Sequence, residues 1–245
     1  MMQDGAGNPI GTFHEGGGTG IQTLYRGGGT ELWTSEPDFQ IIDNFEDAPD
    51  GPYGDGEDIF DYYTLTGESA DWERSTDAIQ GGFALDQSDR ESVAALYSVP
   101  NDGLPSYPEV GERVALLIRD GGELPGLVLN ADAGIEGYGF FIQPSDGGLD
   151  NIDIRRIDDN ATTGLAGTDP TMDEGVWYWG EAFVGSDGTL EWSVYEVDDE
   201  TLERGSLIGS VTATDYTYLD NDGIGFYVRS GSSGPSAWDW IRVVE

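Results

Sequence analysis

The chain has no lysine and no cysteine, a single histidine, and ten arginines against 48 aspartates and glutamates in 245 residues. Without cysteine there is no disulfide, no thiolate metal site and no sulfur nucleophile. The lone histidine, His14, lies in a Gly-rich N-terminal segment, so a Ser-His-Asp triad has no base in the body of the chain. A formal net charge of −38 leaves no basic footprint for nucleic acid and disfavours an anionic membrane surface. Long hydrophobic runs are missing as well. The longest clean one covers 114–118, far short of the ~20 residues a spanning helix needs, so no membrane insertion is expected. Residues 1–10 carry neither the basic region nor the apolar stretch of a signal peptide. The expectation is a protein that stays in the cytoplasm or leaves inside an assembled particle.

What is present is acid spread among apolar residues. Hydrophobic residues make up 37% and aromatics 11%, enough to build a core, so the acidity does not mean disorder. Closely spaced carboxylates strain a compact state in dilute buffer. At molar salt the screening length is about 3 Å and the same surface is tolerable. The composition reads as that of an extreme halophile's protein, or of a virus infecting one.

Two regions differ in pattern. Residues 1–38 hold an 11-residue tandem repeat, Ile10-Gly-Thr-Phe-His-Glu-Gly-Gly-Gly-Thr19 and Ile21-Gln-Thr-Leu-Tyr-Arg-Gly-Gly-Gly-Thr30, the second closed by Glu31-Leu32-Trp33. Short alternation followed by a Gly run is hairpin chemistry. From 39 to 245 short alternating segments recur between Asp-Gly pairs, including 120–121, 187–188 and 222–223. Both positions of Asp-Gly tolerate positive φ, so each pair marks a tight turn. With no helical period of useful length, this predicts an all-β fold, an antiparallel two-sheet sandwich with a small N-terminal β-hairpin arm. Alternation places Ala237, Asp239, Ile241 and Val243 on one face of the last strand and Trp238, Trp240, Arg242 and Val244 on the other. Trp177 and Trp179 share a face, and at least one of these Trp pairs is expected between the sheets. The loops 100–108, 158–172 and 230–236 are expected to offer any ligand surface.

Residues 40–245 resemble the concanavalin A-like (laminin G-like) jelly rolls of haloarchaeal proteins. The resemblance is carried by Ile42-Asp43-Asn44-Phe45-Glu46-Asp47, Gly137-Tyr138-Gly139-Phe140, Gly223-Ile224-Gly225-Phe226 and Trp238-Asp239-Trp240-Ile241-Arg242-Val243. It implies a jelly roll and, as a cofactor, a structural Ca²⁺ between the first and last strands, for which Asp43, Glu46 and Asp239 are the fitting carboxylates. The alternative for Asp239 is a hydrogen bond to a loop backbone, or to Arg242 or Arg229. The segment Ile21 to Trp33 is similar to hairpins in structural proteins of tailed viruses.

Catalysis is not expected. Retaining glucanases of this fold pair two carboxylates about 5 Å apart. The nearest stretch, Asn151-Ile152-Asp153-Ile154-Arg155-Arg156, has Asn and Arg where the nucleophile and acid should stand. Of the tryptophans, Trp72, Trp177, Trp179, Trp192, Trp238 and Trp240 are each open to two readings, sugar stacking or core. The sequence thus reads as a structural virion protein of a haloarchaeal tailed virus (turret, head fibre or tail component), present as a homo-oligomer. Ile10, Phe13, Ile21, Tyr25, Leu32 and Trp33 would anchor it to other virion proteins, and the outward jelly roll would serve decoration or host-surface glycan adhesion. The alternative is a cellular carbohydrate-binding module of a halophilic archaeon, in the cytoplasm or at the cell surface.

Overall fold

The computed structural model describes residues 23–26, 30–34, 40–43, 45, 52–53, 58–59, 63–67, 72–75, 78–79, 84–87, 94–100, 102, 104, 107–121, 124–132, 134–143, 152–159, 161–198, 204–228 and 236–244. The chain divides into two units, 1–40 and 41–245, two residues beyond the boundary read from the sequence. In the first unit β1 (Thr23–Arg26) pairs antiparallel with β2 (Thr30–Thr34), placing Leu24 opposite Trp33 and Tyr25 opposite Glu31. Ile10, Phe13 and Ile21 lie outside the described residues.

The second unit is built from β3 (Gln40–Asp43), β4 (Pro52–Tyr53), β5 (Asp58–Ile59), β6 (Tyr63–Gly67), β7 (Trp72–Ser75), β8 (Ala84–Gln87) and β9 (Ala94–Ser98). It continues with β10 (Arg113–Arg119), β11 (Pro125–Ala131), β12 (Gly137–Ile142), β13 (Ile152–Asp158), β14 (Ala161–Thr168) and β15 (Trp177–Val184). It ends with β16 (Thr189–Val197), β17 (Arg204–Thr214), β18 (Gly223–Val228) and β19 (Ser236–Val244). One sheet has the order β17-β16-β15-β10-β19-β8-β7-β4, with β3 also on β19, and the other the order β14-β13-β12-β11-β18-β9-β6-β5. The two antiparallel sheets form a jelly-roll sandwich. Among the described residues there is no helix, and so none long and apolar enough to cross a membrane.

Central strands bury both faces, as their sequences require. On β10, Val114, Leu116 and Ile118 enter the inter-sheet core with Leu127, Phe140, Ile154 and Trp192, while Ala115 and Leu117 pack on the outer side with Trp179 and Trp240. A second outer cluster, on the other sheet, joins Val128, Phe141, Ile157 and Tyr227. The Asp187-Gly188 pair makes the expected turn between β15 and β16. Gly188 has φ 76°, and Asp187 accepts the Thr189 N–H at 3.0 Å.

The alternation read for the last strand is corrected by a bulge. β19 faces β10 with Leu117 opposite Asp239 but Leu116 opposite Ile241, so Trp240 is an extra residue with φ 47°. One inserted residue reverses the facing of everything beyond it. Trp238 therefore lies in the inter-sheet core, stacked on Trp72, while Asp239 and Trp240 point outward and Ile241 returns to the core. Trp177 and Trp179 are likewise on the outer side, so neither pair sits together between the sheets. Residues 161–168, read as part of a ligand-presenting loop, are the edge strand β14.

A polar network ties the segment after β17 to β12 and β13. Arg156 donates to Asp158 at 2.9 Å and to Asp215 at 3.2 Å, and the Tyr218 hydroxyl donates to Asp158 at 2.5 Å. The Tyr138 hydroxyl accepts the Tyr218 N–H at 2.9 Å and donates to Asp215 at 3.2 Å. The hydrogen bonds from Tyr218 and Arg156 hold the Asp158 carboxyl below the usual range. At Asp215 burial pushes the other way, but bonds from Thr217, Tyr138 and Arg156 outweigh it and the carboxyl is also lowered. Unfolded aspartates protonate near pH ~3.9 and these two at lower pH, so their contribution is complete above pH ~4 and is lost as pH falls below it. Tyr218→Phe is expected to flatten the acid limb of stability in urea melts as pH falls from 4 to 2. An unchanged limb would show that the network does not set it.

Candidate functional site

The outer face of the β17-to-β4 sheet is where the arginines go. Arg242 lies over the rings of Trp240 and Trp179, at 3.7 and 4.9 Å, and Arg119 over Trp177 at 4.9 Å. Arg204 lies over Tyr195 at 5.1 Å and bonds Glu181 at 3.0 Å; Arg113 lies over Phe183 at 5.2 Å and pairs with Glu191 at 2.5 Å. Trp179 adds an indole N–H bond to Glu181 at 3.0 Å. On the opposite sheet Arg155 covers Phe141 at 5.6 Å and is bonded to Asp153. With Arg156 in the network above, every arginine whose side chain is described is committed to a ring or a carboxylate within the fold.

At one end of the sandwich this face runs into an open cleft of about 640 Å³. It lies where β15 begins and β16 ends, closed by the 171–176 segment and by Ile208 of β17. Trp177, Val176, Ile79 and Val197 supply an apolar wall, and Thr171, Asp173, Tyr178 and Glu196 supply polar groups. The 171–176 segment is pinned from both sides. The Gly175 N–H donates to the Asp120 carbonyl at 2.8 Å, with Gly175 at φ 76°, a conformation other residues adopt at a cost. The Tyr178 hydroxyl accepts the Asp173 N–H at 2.7 Å and donates to the Asp173 carbonyl at 3.1 Å. Burial pushes the Tyr178 hydroxyl up, and the nearby charges of Asp173 and Glu196 add to the rise. Asp173 and Glu196 are exposed, so the cleft presents two solvated carboxylates beside an indole.

Burial sorts the tryptophans. Trp72, Trp192 and Trp238 are fully buried, and Trp179 and Trp240 are buried under Arg242, leaving Trp177 half-buried on the cleft wall. Sequence reasoning named Trp177 but could not separate it from the others. It missed Asp173 and Glu196, whose proximity depends on the β15–β16 pairing that sets Tyr178 opposite Glu196.

Of the calcium candidates, Asp43 lies at the end of β3 and Asp239 on β19, the strand β3 pairs with. The outward-facing Asp239 accepts the Ile79 N–H at 3.0 Å, a loop-backbone bond 160 residues away in sequence. Asp43 accepts the Phe45 N–H at 2.8 Å and lies beside the buried Tyr63 hydroxyl. Glu46 lies outside the described residues, and among those described no three His, Asp or Glu side chains form a group able to hold a metal. Asp153, the one carboxylate of the glucanase-like stretch, is buried against Arg155.

No family model and no curated protein matches the sequence. Among solved structures, the carbohydrate-binding module CBM66 from Bacillus subtilis is 13% identical with TM-score 0.49, over 73% of this chain and 92% of that one. The VIP36 exoplasmic/lumenal domain, in its Ca²⁺/Man3GlcNAc-bound form, is 10% identical with TM-score 0.48, over 75% and 83%. A putative β-glucanase from Mycobacterium abscessus is 14% identical with TM-score 0.42, over 82% and 98%. Likeness at this level concerns the fold and assigns neither ligand nor activity.

Proposed function

We propose that the jelly roll is a non-catalytic carbohydrate-binding module whose saccharide site is the cleft beside Trp177. The observation that carries this reading is the sorting of the indoles, which among the described side chains leaves one partly open ring at the wall of a cleft that also offers Thr171, Asp173, Tyr178 and Glu196 to hydroxyl groups. A sugar ring has apolar C–H faces and a hydroxyl rim, and an indole flanked by acceptors matches both. The test is calorimetry of the full chain in 2 M KCl against a panel of neutral and charged oligosaccharides. Trp177→Ala is expected to weaken the best binder by about 2 kcal/mol, roughly thirtyfold in Kd, with the fold intact. Unchanged affinity in that variant, or release of reducing ends from the bound sugar, would overturn the reading.

A second reading concerns the arm. The β1–β2 hairpin, with Leu24 opposite Trp33, belongs to a unit separate from the sandwich. Two short strands have little stability by themselves, so such a hairpin gains from a partner surface. In this reading Tyr25, Leu32 and Trp33 anchor the chain in a virion of a halophilic host, in several copies, and the jelly roll faces outward. Deleting residues 1–35 is expected to leave the sandwich folded in high salt and to stop incorporation into particles. Normal incorporation of the truncated chain would end this reading.

A further inference from the structure

The lining of the cleft also bears on which saccharides fit. Among the described residues no cation lines it, whereas Asp173 and Glu196 both do. The arginine next to it, Arg119, is spent: its guanidinium lies over the Trp177 ring at 4.9 Å and 3.8 Å from Asp86, with the side chain 10% exposed. A ligand carboxylate or sulfate entering the cleft would meet two like charges and no partner. A ligand ammonium would meet two carboxylates already solvated and in place, with no buried ion pair to break.

We infer that the cleft selects against acidic glycans and takes a saccharide of neutral or amino sugars, binding a protonated hexosamine more tightly than its N-acetylated counterpart. This rests on the carbohydrate-binding reading above. Direct contact matters here, because at molar salt the screening length of about 3 Å erases the long-range field of the acidic surface but not an adjacent ion pair. Exposed pairs of this kind are weak, so the expected preference is about fivefold. The neutral part of the ligand stacks on Trp177 in either case, and the carboxylates act as a filter upon it.

The test uses the full chain in 2 M KCl at pH 6, where hexosamines are protonated. Three probes of equal length are titrated: a glucosamine tetramer, its N-acetylated form and an oligogalacturonate tetramer. The expected result is tighter binding of the glucosamine tetramer than of the acetylated one, and none of the uronate. Glu196→Gln, an exposed position, is expected to reduce the fivefold preference to about twofold by weakening the glucosamine tetramer more than the acetylated one, and Asp173→Asn to do the same. Equal or tighter binding of the uronate overturns the selectivity while leaving the carbohydrate reading standing. So does a preference for glucosamine that both substitutions leave intact. Glucosamine binding that survives Trp177→Ala is adhesion to the acidic surface and overturns the assignment to the cleft. If none of the three probes binds, the carbohydrate reading fails and this inference falls with it.

Discussion

Moving the protein from 2 M to below about 0.5 M monovalent salt is expected to unfold it. The chain carries a formal charge of −38, and the arginines whose side chains are described are each held against a ring or a carboxylate of the fold. Arg113, Arg119, Arg155, Arg204 and Arg242 each cover an aromatic ring, and Arg156 lies between Asp158 and Asp215. Arg119, Arg155 and Arg242 are thus buried in the structure, whereas acids such as Asp169, Glu174, Asp220 and Asp222 face solvent. Ions keep such charges apart electrically when the screening length is about 3 Å, and much less so at about 10 Å in 0.1 M salt. A domain of ordinary stability, about 5–15 kcal/mol, has little reserve against that self-repulsion. Thermal melts followed by tryptophan fluorescence across a KCl series are expected to show Tm falling by on the order of 15 °C before folding is lost, the equivalent of about 5 kcal/mol in a domain of this size. Exchanging Glu174 and Asp220 for lysine should make that slope shallower. A flat Tm across the series would remove the halophilic reading.

Much of the sandwich is legible in the sequence because its central strands are short, nearly continuous apolar runs, rich in β-branched and aromatic residues and bounded by turn signals. Val114 to Ile118 and Trp177 to Val184 could not be read as helix. Two features resist such reading for physical reasons. Nothing local in Ala237-Trp238-Asp239-Trp240-Ile241 announces a bulge. The extra residue is a tryptophan at positive φ, a conformation paid for by its place under Arg242 and against Trp179. The strand β14 is Ala-Thr-Thr-Gly-Leu-Ala-Gly-Thr, with too little apolar alternation to signal a strand, and its conformation comes from pairing with β13 along an edge. The site was legible only as a set of candidates. Which tryptophan stays open, and which carboxylates stand near it, follow from register and burial, and neither is a local property. The turn Asp173-Glu174-Gly175 just before Val176-Trp177 is the one signal that could have singled out Trp177, since a ring at a strand start is less enclosed than one in mid-strand.

Gly180→Ala and Trp192→Phe are expected to be far less harmful together than the sum of their separate effects. Trp192 sits on β16, fully buried, and its indole N–H crosses the core to donate to the Phe141 carbonyl of the opposite sheet at 2.9 Å. Its ring occupies the space a side chain at Gly180 would need. A Cβ built on Gly180 would stand 2.1 Å from Cη2 of Trp192 and 2.7 Å from Cζ3. The indole cannot retreat, because the hydrogen bond fixes one edge and Phe140 packs against the ring at 5.9 Å. Overpacking of this kind costs about 1–3 kcal/mol. Trp192→Phe forfeits the cross-sheet hydrogen bond, worth about 1 kcal/mol, and leaves a void with its own cost of similar size. The phenyl ring lacks the outer atoms that collide with the new methyl, so in that background Gly180→Ala fills space and relieves no strain of its own making. A double-mutant cycle by urea denaturation in 2 M KCl should therefore return a coupling of about 1 kcal/mol or more in the favourable direction. Additive costs would mean that the indole gives way to the methyl, and that the two sheets are not held in register by this contact. Because β15 and β16 carry Trp177 and Glu196 a few residues further along, a shift here should also appear as weaker saccharide binding in the Gly180→Ala single variant.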